Sequence, residues 1–438
     1  MFYHENKRKE YLDSLKKNGE TIKNHQFRYQ GNARHQAPVY RIRLDHLIFN
    51  QFNARIADEL KTYQSVALGE DHPYDEALEE KIKDILWNQG GKNQETLDDI
   101  KEAGQTTPGV VTADGVIVSG NRRAMLLSRL KMEYFEGVIL DEAYEGNKTL
   151  IVRLEASLQH NKVSEQDYSA TAKQFSVYTM RKEHNLDWDE ISSDMNESIT
   201  KIKMYYEEMI TMLEYLSLIG TPNVYTNLRI TGTKGTKEEA FRETNKNYKK
   251  MLGSNASMQL EWPYTDDDAD KYKEIMYDYI RAYNLGAPAN FRKIGPGQGL
   301  KKGILSNEKL FKEFYEKHIS ITHPATHILK TLAEYAELPE CENLEPREIA
   351  ERRESDWIKD TDEALLKNYE DFVVRIDEVN KDNEPAEKLR KVFDILQSID
   401  SIEELNLAPD MLLLKNHVSE ISSIIKEIEH TIGIDTSR

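Results

Sequence analysis

The sequence predicts an α+β protein: a small mixed domain first, a helix-turn-helix-like region next, and an all-α C-terminal half. Three observations predict it. Residues 104–123 read as a short hairpin that stops at Ser119-Gly120 and passes directly into the helical pattern Ala124–Met132. Tyr40–Ile48 alternates apolar and polar residues with the period of a strand. From Ser164 onward, and almost wholly from Asn307 to Ile434, the apolar spacing is helical.

The elements follow in order. Residues 1–37 form a basic N-terminal arm with a polar helix over 5–24, and residues 38–55 supply the first strand. A helix around Tyr74–Asn88 carries Leu78, Ile82, Ile85 and Leu86 on one face, Gly90-Gly91 ends it, and Gln94–Ala103 is a second short helix. Val110–Val118 is a hairpin turning at Asp114-Gly115. Phe135–Leu140 and Thr149–Leu154 read as short strands or strand–helix junctions. A capped helix from Ser164 to His184, a short helix Trp188–Met195 and a long one Ile199–Ile219 make the helix-turn-helix-like region, residues 161–220. A connector, 221–306, holds two glycine-rich basic loops, Thr231–Lys237 and Asn290–Gly299; neither has P-loop spacing. The C-terminal domain, 307–438, is expected as helices at Lys309–Lys317, Ala325–Tyr335, Asp362–Val379, Glu387–Ser398 and Met411–Thr431. The tyrosines at 205, 206 and 272–283 read as core.

Composition limits the function classes. The 438 residues suffice for two or three domains. No apolar run approaches the ~20 residues of a membrane span, and no apolar h-region follows the N-terminus, so a soluble cytoplasmic protein with no membrane partner is expected. Cys341 is the single cysteine, which excludes an intramolecular disulfide and a cysteine-based zinc cluster. A formal charge of −18 argues against a protein that coats nucleic acid non-specifically. Basic islands at 1–43 (net +6), 225–250 (net +4) and 291–317 (net +4) stand on this acidic body as local polyanion contacts or as solvated surface. His318, His323 and His327 read as capping and surface residues, because Pro324 interrupts the spacing a metal site would need.

Gly120-Asn121-Arg122-Arg123 is the most informative run. A strand feeding a glycine turn and then a helix N-terminus aims unpaired N–H groups at one spot, where the helix dipole favours an anion. Two arginines add fork-shaped donors suited to phosphate. The alternative is a strand–helix turn with its arginines on the surface.

The same run resembles the second box of the ParB/sulfiredoxin superfamily: Gly104-Gln105-x-x-Pro108, a hairpin, then Gly-x-Arg-Arg opening a helix. The strand Tyr40–Ile48 followed by Asn50-Gln51-Phe52-Asn53-Ala54-Arg55 is similar to the first box without its prolines, and Glu155–Asn161 stands where the third box would be. The resemblance covers about residues 38–160, with a helical insertion over about 56–103. It implies a nucleotide phosphate site at Gln105, Gly120, Asn121, Arg122, Arg123, Asn53, Arg55 and Gln159, and a nucleoside triphosphate (ATP or CTP), with Mg2+, as cofactor. Sulfiredoxin chemistry is excluded, because it needs a cysteine where Asn121 stands. The third box departs from the family: Ala156-Ser157 replace Glu-Asn, and His160 replaces arginine. Alanine offers no oxygen to a hard cation, so Glu155 and Asn161 are the remaining metal candidates.

ParB proteins also carry a helix-turn-helix after this domain, which makes Lys201 and Lys203 the candidate DNA contacts. Residues 164–216 nevertheless hold five basic and eleven acidic groups, and structural packing is the rival reading. What the resemblance implies is a ParB-like nucleotide-binding protein, an NTPase in DNA metabolism such as DNA modification or phage defence. Its partners would be nucleotide, DNA, other modification or defence proteins and further copies of itself. The alternatives are a DNA-binding partition or transcription regulator switched by CTP, and a non-catalytic helical scaffold.

Overall fold

The protein was examined as a computed structural model. It describes residues 3–29, 32–53, 56–65, 73–89, 92–160, 171–228, 237–252, 262–283, 285, 288–298, 301–324, 330–397 and 411–433. The fold is α+β. Two units are separable, 1–297 with 303–372 and 298–302 with 373–438.

A six-stranded mixed sheet organises the first unit: β1 (Lys23–Tyr29), β2 (Asn32–Arg43), β3 (Ile48–Phe49), β4 (Gly109–Val111), β5 (Val116–Ser119) and β6 (Tyr134–Ile139), in the order β1-β2-β6-β4-β5-β3. The hairpin β4–β5 is antiparallel, as its Asp114-Gly115 turn demands, whereas β6 runs parallel to β4 and β3 parallel to β5. Period-2 alternation sends successive side chains to opposite faces. Val39, Val110, Val116, Val118 and Val138 enter one core with Ile151, Leu154 and Leu158. Ile42, Val111, Ile117 and Ile139 enter the other.

That second face is covered by α1 (Glu5–Asn18), α2 (Ala57–Tyr63), α3 (Glu76–Gln89), α4 (Asn93–Ala103) and α5 (Asn121–Arg129). Leu78, Ile82, Ile85 and Leu86 of α3 are buried there, which is the helical stripe read from the sequence. The opposite face is covered by α6 (Lys148–His160).

Two corrections follow. The first strand of the sheet is β1, upstream of residue 38, and α1 is built into the domain. Leu12 is fully buried, and the buried Arg8 guanidinium donates from Nε to the Asp114 carbonyl at 2.9 Å. The strand was hidden because an edge strand of sequence Lys-Asn-His-Gln-Phe-Arg-Tyr lacks apolar alternation. Residues 149–154 are helical and not strand: their β-branched residues suggest extension, but Ile151, Leu154 and Leu158 meet the core at i, i+3, i+7 spacing.

Next come α7 (Ala172–Tyr178), continued by a π-helical turn Thr179–Glu183, then α8 (Trp188–Met195) and α9 (Ile199–Leu218). Asp187 and Glu190 close a capping box on α8, and Ser198 caps α9. Val177, Met180, Ile191, Met195, Ile202 and Tyr205 share a core with Ala156 of α6. The remaining helices are α10 (Lys237–Leu252), α11 (Asp266–Ala282), α12 (Pro288–Ile294), α13 (Glu308–Thr322), α14 (Leu332–Ala336), α15 (Pro346–Gln397) and α16 (Met411–Thr431). Tyr272, Tyr277 and Tyr279 are fully buried, as core residues. The two helices expected at 362–379 and 387–398 are one helix, Pro346–Gln397, with Pro385 inside it. Among the described residues no helix is long and apolar enough to cross a membrane.

Candidate functional site

The three boxes meet at one buried polar junction. Gly120 ends β5 with φ 108°, a left-handed conformation that favours glycine; a Cβ there would also lie 2.9 Å from the Phe135 ring. The chain can therefore turn sharply from strand into α5, whose first N–H groups are left outside the helical ladder. Asn121 opens the helix. Its Oδ1 accepts the Asn50 backbone N–H at 3.0 Å, and its Nδ2 donates to the Ile117 carbonyl at 2.8 Å. Asn50 in turn donates from Nδ2 to Glu155 Oε2 at 2.8 Å, and its Oδ1 accepts the Phe52 N–H at 3.0 Å. Asn50, Asn53, Asn121 and Glu155 are all buried.

The arginines are engaged differently. Arg122 donates from Nε to Asn93 Oδ1 at 2.6 Å and lies 3.4 Å from Thr96 Oγ1, both on α4. Arg123 is half-buried and donates to the Thr107 carbonyl; among the described residues no carboxylate pairs with it. Burial without a compensating charge pushes its pKa down to about 10. Gln105 pins the loop before β4 to β6: its Nε2 donates to the Glu136 carbonyl at 2.6 Å, and its Oε1 accepts the Glu136 N–H at 2.8 Å. Gln159 lies in the last turn of α6, while Arg55 and Asn161 lie outside the described residues.

A cavity of about 190 Å³ adjoins this junction, and Glu155 belongs to both. Phe52 stacks on Tyr144 at 5.5 Å and 10°, presenting a flat, exposed aromatic face at its wall. Lys61 and Lys148 line it; Lys61 Nζ stands 4.6 Å from the Phe175 ring centroid and 3.4 Å from Glu183. The π-helical turn supplies Thr179, Met180 and Glu183, a local geometry frequent at functional sites. His184 follows, its Nδ1 3.0 Å from Thr149 Oγ1, and burial lowers its pKa. These cavity residues come from three distant segments, 51–61, 144–156 and 175–184, and only the aromatic–cation composition around Tyr144–Lys148 could have signalled them.

Ala156 is buried against Val177 and Met180, so this turn of α6 faces the following helices. A magnesium ion takes one or two carboxylates together with phosphate oxygens and water. The described residues offer Glu155 alone at the junction, already held by Asn50, and no group of three or more metal-type ligands occurs among them. Of the histidines, His318 is fully buried with Nε2 2.9 Å from Asp278, a correction to its surface reading, and His323 is exposed. His327 lies outside the described residues.

Lys201 and Lys203 are both exposed on α9. Lys201 binds both oxygens of Glu197, at 2.9 and 3.0 Å, and Lys203 Nζ lies 5.8 Å from the Trp188 ring centroid.

In the order and meeting of its three boxes, the mixed domain resembles the N-terminal domain of ParB proteins. Among solved structures the chain is similar to a C-terminally truncated chromosome-partitioning protein ParB from Caulobacter crescentus, complexed with CTP-gamma-S. The two are 14% identical, over 48% of this chain and 92% of that one, with a TM-score of 0.17. A Pnob8-like ParB-N domain is 13% identical, over 64% of this chain and 97% of that one, with a TM-score of 0.26. No family model and no curated protein matches the chain.

Proposed function

We propose that the chain is a ParB-like nucleotide-binding protein that holds the phosphate chain of a nucleoside triphosphate at the N-terminus of α5. Arg123 carries this reading. A half-buried guanidinium with only a carbonyl partner, beside a helix N-terminus, retains a charge that an anion would satisfy. The Asn50–Asn121–Glu155 network holds the turn in place, so the donors are positioned before a ligand arrives. The Phe52–Tyr144 face and the two cavity lysines offer stacking and charge to the rest of the nucleotide. Any magnesium would be held through Glu155 and the ligand's own phosphates. Hydrolysis, the choice between ATP and CTP, and a setting in DNA modification or phage defence rest on the sequence resemblance.

Self-association is part of the proposal. On α16, Val418, Ile421, Ile425, Ile428 and Ile432 follow a heptad seam that Met411 and Leu414 begin in the sequence; Val418, Ile421, Ile425 and Ile432 are exposed. An antiparallel second copy would set Lys415 opposite Glu429 on the flank, twice by symmetry; a parallel one would not. That complementarity favours the antiparallel pair.

Thermal unfolding with ATP, CTP, GTP and ADP, each with and without magnesium, tests the nucleotide reading. A bound nucleotide raises stability by roughly RT ln(1 + [L]/Kd), and the Arg122→Ala/Arg123→Ala double variant should lose that rise. Equal stabilisation of the two proteins would reject the assignment.

A further inference from the structure

A larger cavity lies elsewhere in the first unit. The end of α9 (Leu218–Gly220), the last turn of α11 (Arg281), the end of α13 (Ile321–Pro324) and one face of α15 (Arg353, Trp357, Thr361) enclose about 770 Å³. That is within the range of small-molecule sites.

Its floor is charged. Arg281 is 6% exposed and Arg353 4% exposed, so both guanidiniums are withdrawn from bulk water. They share one carboxylate. Arg281 reaches Glu354 through Nε at 2.6 Å and Nη2 at 3.1 Å, and Arg353 reaches it through Nη1 at 2.5 Å. Arg353 also donates to the carbonyls of Lys330 and Ile219, each at 3.0 Å. Arg281 Nη1 has no acceptor among the described residues, and the guanidinium carbon lies 4.0 Å from the Trp357 ring centroid. Two cations share the one carboxylate of Glu354, and the buried Asp278, one turn earlier on α11, is held by His318, so the ion-pair contacts leave one guanidinium without its own anion, an expensive arrangement unless a ligand completes it. Burial and the neighbouring Arg281 lower the Arg353 pKa, in keeping with that surplus.

Two other titratable groups line the cavity. Asp360 is exposed, and His323, also exposed, lies 3.6 Å from Glu274. Neither comes between the guanidiniums and the space they face by any contact described. Ile219, Ile321, Pro324 and Trp357 make the remaining wall apolar.

We propose that this cavity binds a small organic oxyanion, a carboxylate or phosphate borne on a flat apolar body. The oxyanion meets Arg281 Nη1 and the remaining donors of Arg353, and the body lies against Trp357 and Ile321. The site is separate from the nucleotide site and does not depend on it.

Phenyl phosphate, benzoate and inorganic phosphate serve as probes, with benzylamine as the cationic control, each at about 10 mM and constant ionic strength. Calorimetry and thermal unfolding of the full chain should show binding of one or both aromatic anions and none of benzylamine. The two aromatic anions distinguish phosphate from carboxylate, and inorganic phosphate reports the share of the apolar body. Arg281→Met leaves a neutral Arg353–Glu354 pair, so it should fold and lose the binding. Glu354→Gln removes the internal anion and should tighten binding by about tenfold or more. The proposal is overturned if neither aromatic anion binds, if benzylamine binds equally, or if Arg281→Met retains native affinity. A Glu354→Gln protein that folds yet binds no more tightly also overturns it.

Discussion

Replacing Arg123 by methionine separates binding from stability. The guanidinium's pKa falls from its ordinary value to about 10, and at roughly 1.4 kcal/mol per unit that places a ceiling of about 3.5 kcal/mol on the cost of keeping it charged at neutral pH. The side chain is only half-buried, so solvent screening reduces this to about 1–2 kcal/mol. Against that gain stands the hydrogen bond to the Thr107 carbonyl, worth about 0.5–1.5 kcal/mol. The two nearly cancel, and the variant should unfold within about 1 kcal/mol of the native protein. Nucleotide affinity should behave otherwise. A charge-assisted bond to phosphate contributes about 1.5–3 kcal/mol, so affinity should fall roughly 10- to 150-fold. Urea denaturation and calorimetry with the best-binding nucleotide read the two quantities on one sample. A loss of more than about 2 kcal/mol of stability with unchanged affinity would make Arg123 a structural staple and refute the reasoning.

Asn121→Ala should strand the Asn50 N–H and the Ile117 carbonyl in a buried site and cost about 2–4 kcal/mol, read as a lower urea midpoint. His184 has a lowered pKa in the folded chain, so its unfolded form takes up a proton first. Its contribution to stability is present above pH 6.5 and is lost as pH falls from there toward the folded value. His184→Gln should therefore flatten the melting temperature over that window, and parallel pH profiles for the two proteins would contradict it. Ser422→Cys should form an intermolecular disulfide if α16 pairs antiparallel, because residue 422 then faces its own copy, while Ile425→Cys should do so only in a parallel pair. Light scattering that shows a monomer would exclude both.

The sheet's central elements were legible because they obey local rules. The Asp114-Gly115 turn, the valines of β5 and the helix opening at Gly-Asn-Arg-Arg each specify their own geometry. So does α3, with its four buried residues on one stripe. Elements whose state is set by distant contacts were not legible. The polar strand β1 is a strand because β2 pairs with it, and α6 is a helix because two cores claim opposite sides of it. The Gly-Asn-Arg-Arg turn was readable as a candidate site, yet the two arginines' partners were not. Arg122 turns to α4, nearly thirty residues upstream, and Arg123 to the loop before β4. The cavity beside Glu155 draws on residues from Gln51 to His184, a grouping no local pattern announces.

The clamp between Arg122 and Asn93 ties α3 and α4 to the Gly-Asn-Arg-Arg turn by thermodynamic linkage. Asn93 holds Arg122 with its oxygen, and with its nitrogen it binds the carbonyls of Leu86 and Trp87, at 3.0 and 2.5 Å, at the end of α3. A ligand that drew Arg122 away would have to give up that contact and loosen the α3–α4 corner. By reciprocity, a partner that gripped α3 and α4 and fixed Asn93 would change ligand affinity by the same factor. The α3–α4 corner is then a handle on the start of α5, and hydrogen exchange in α3 and α4 becomes a report of what sits there.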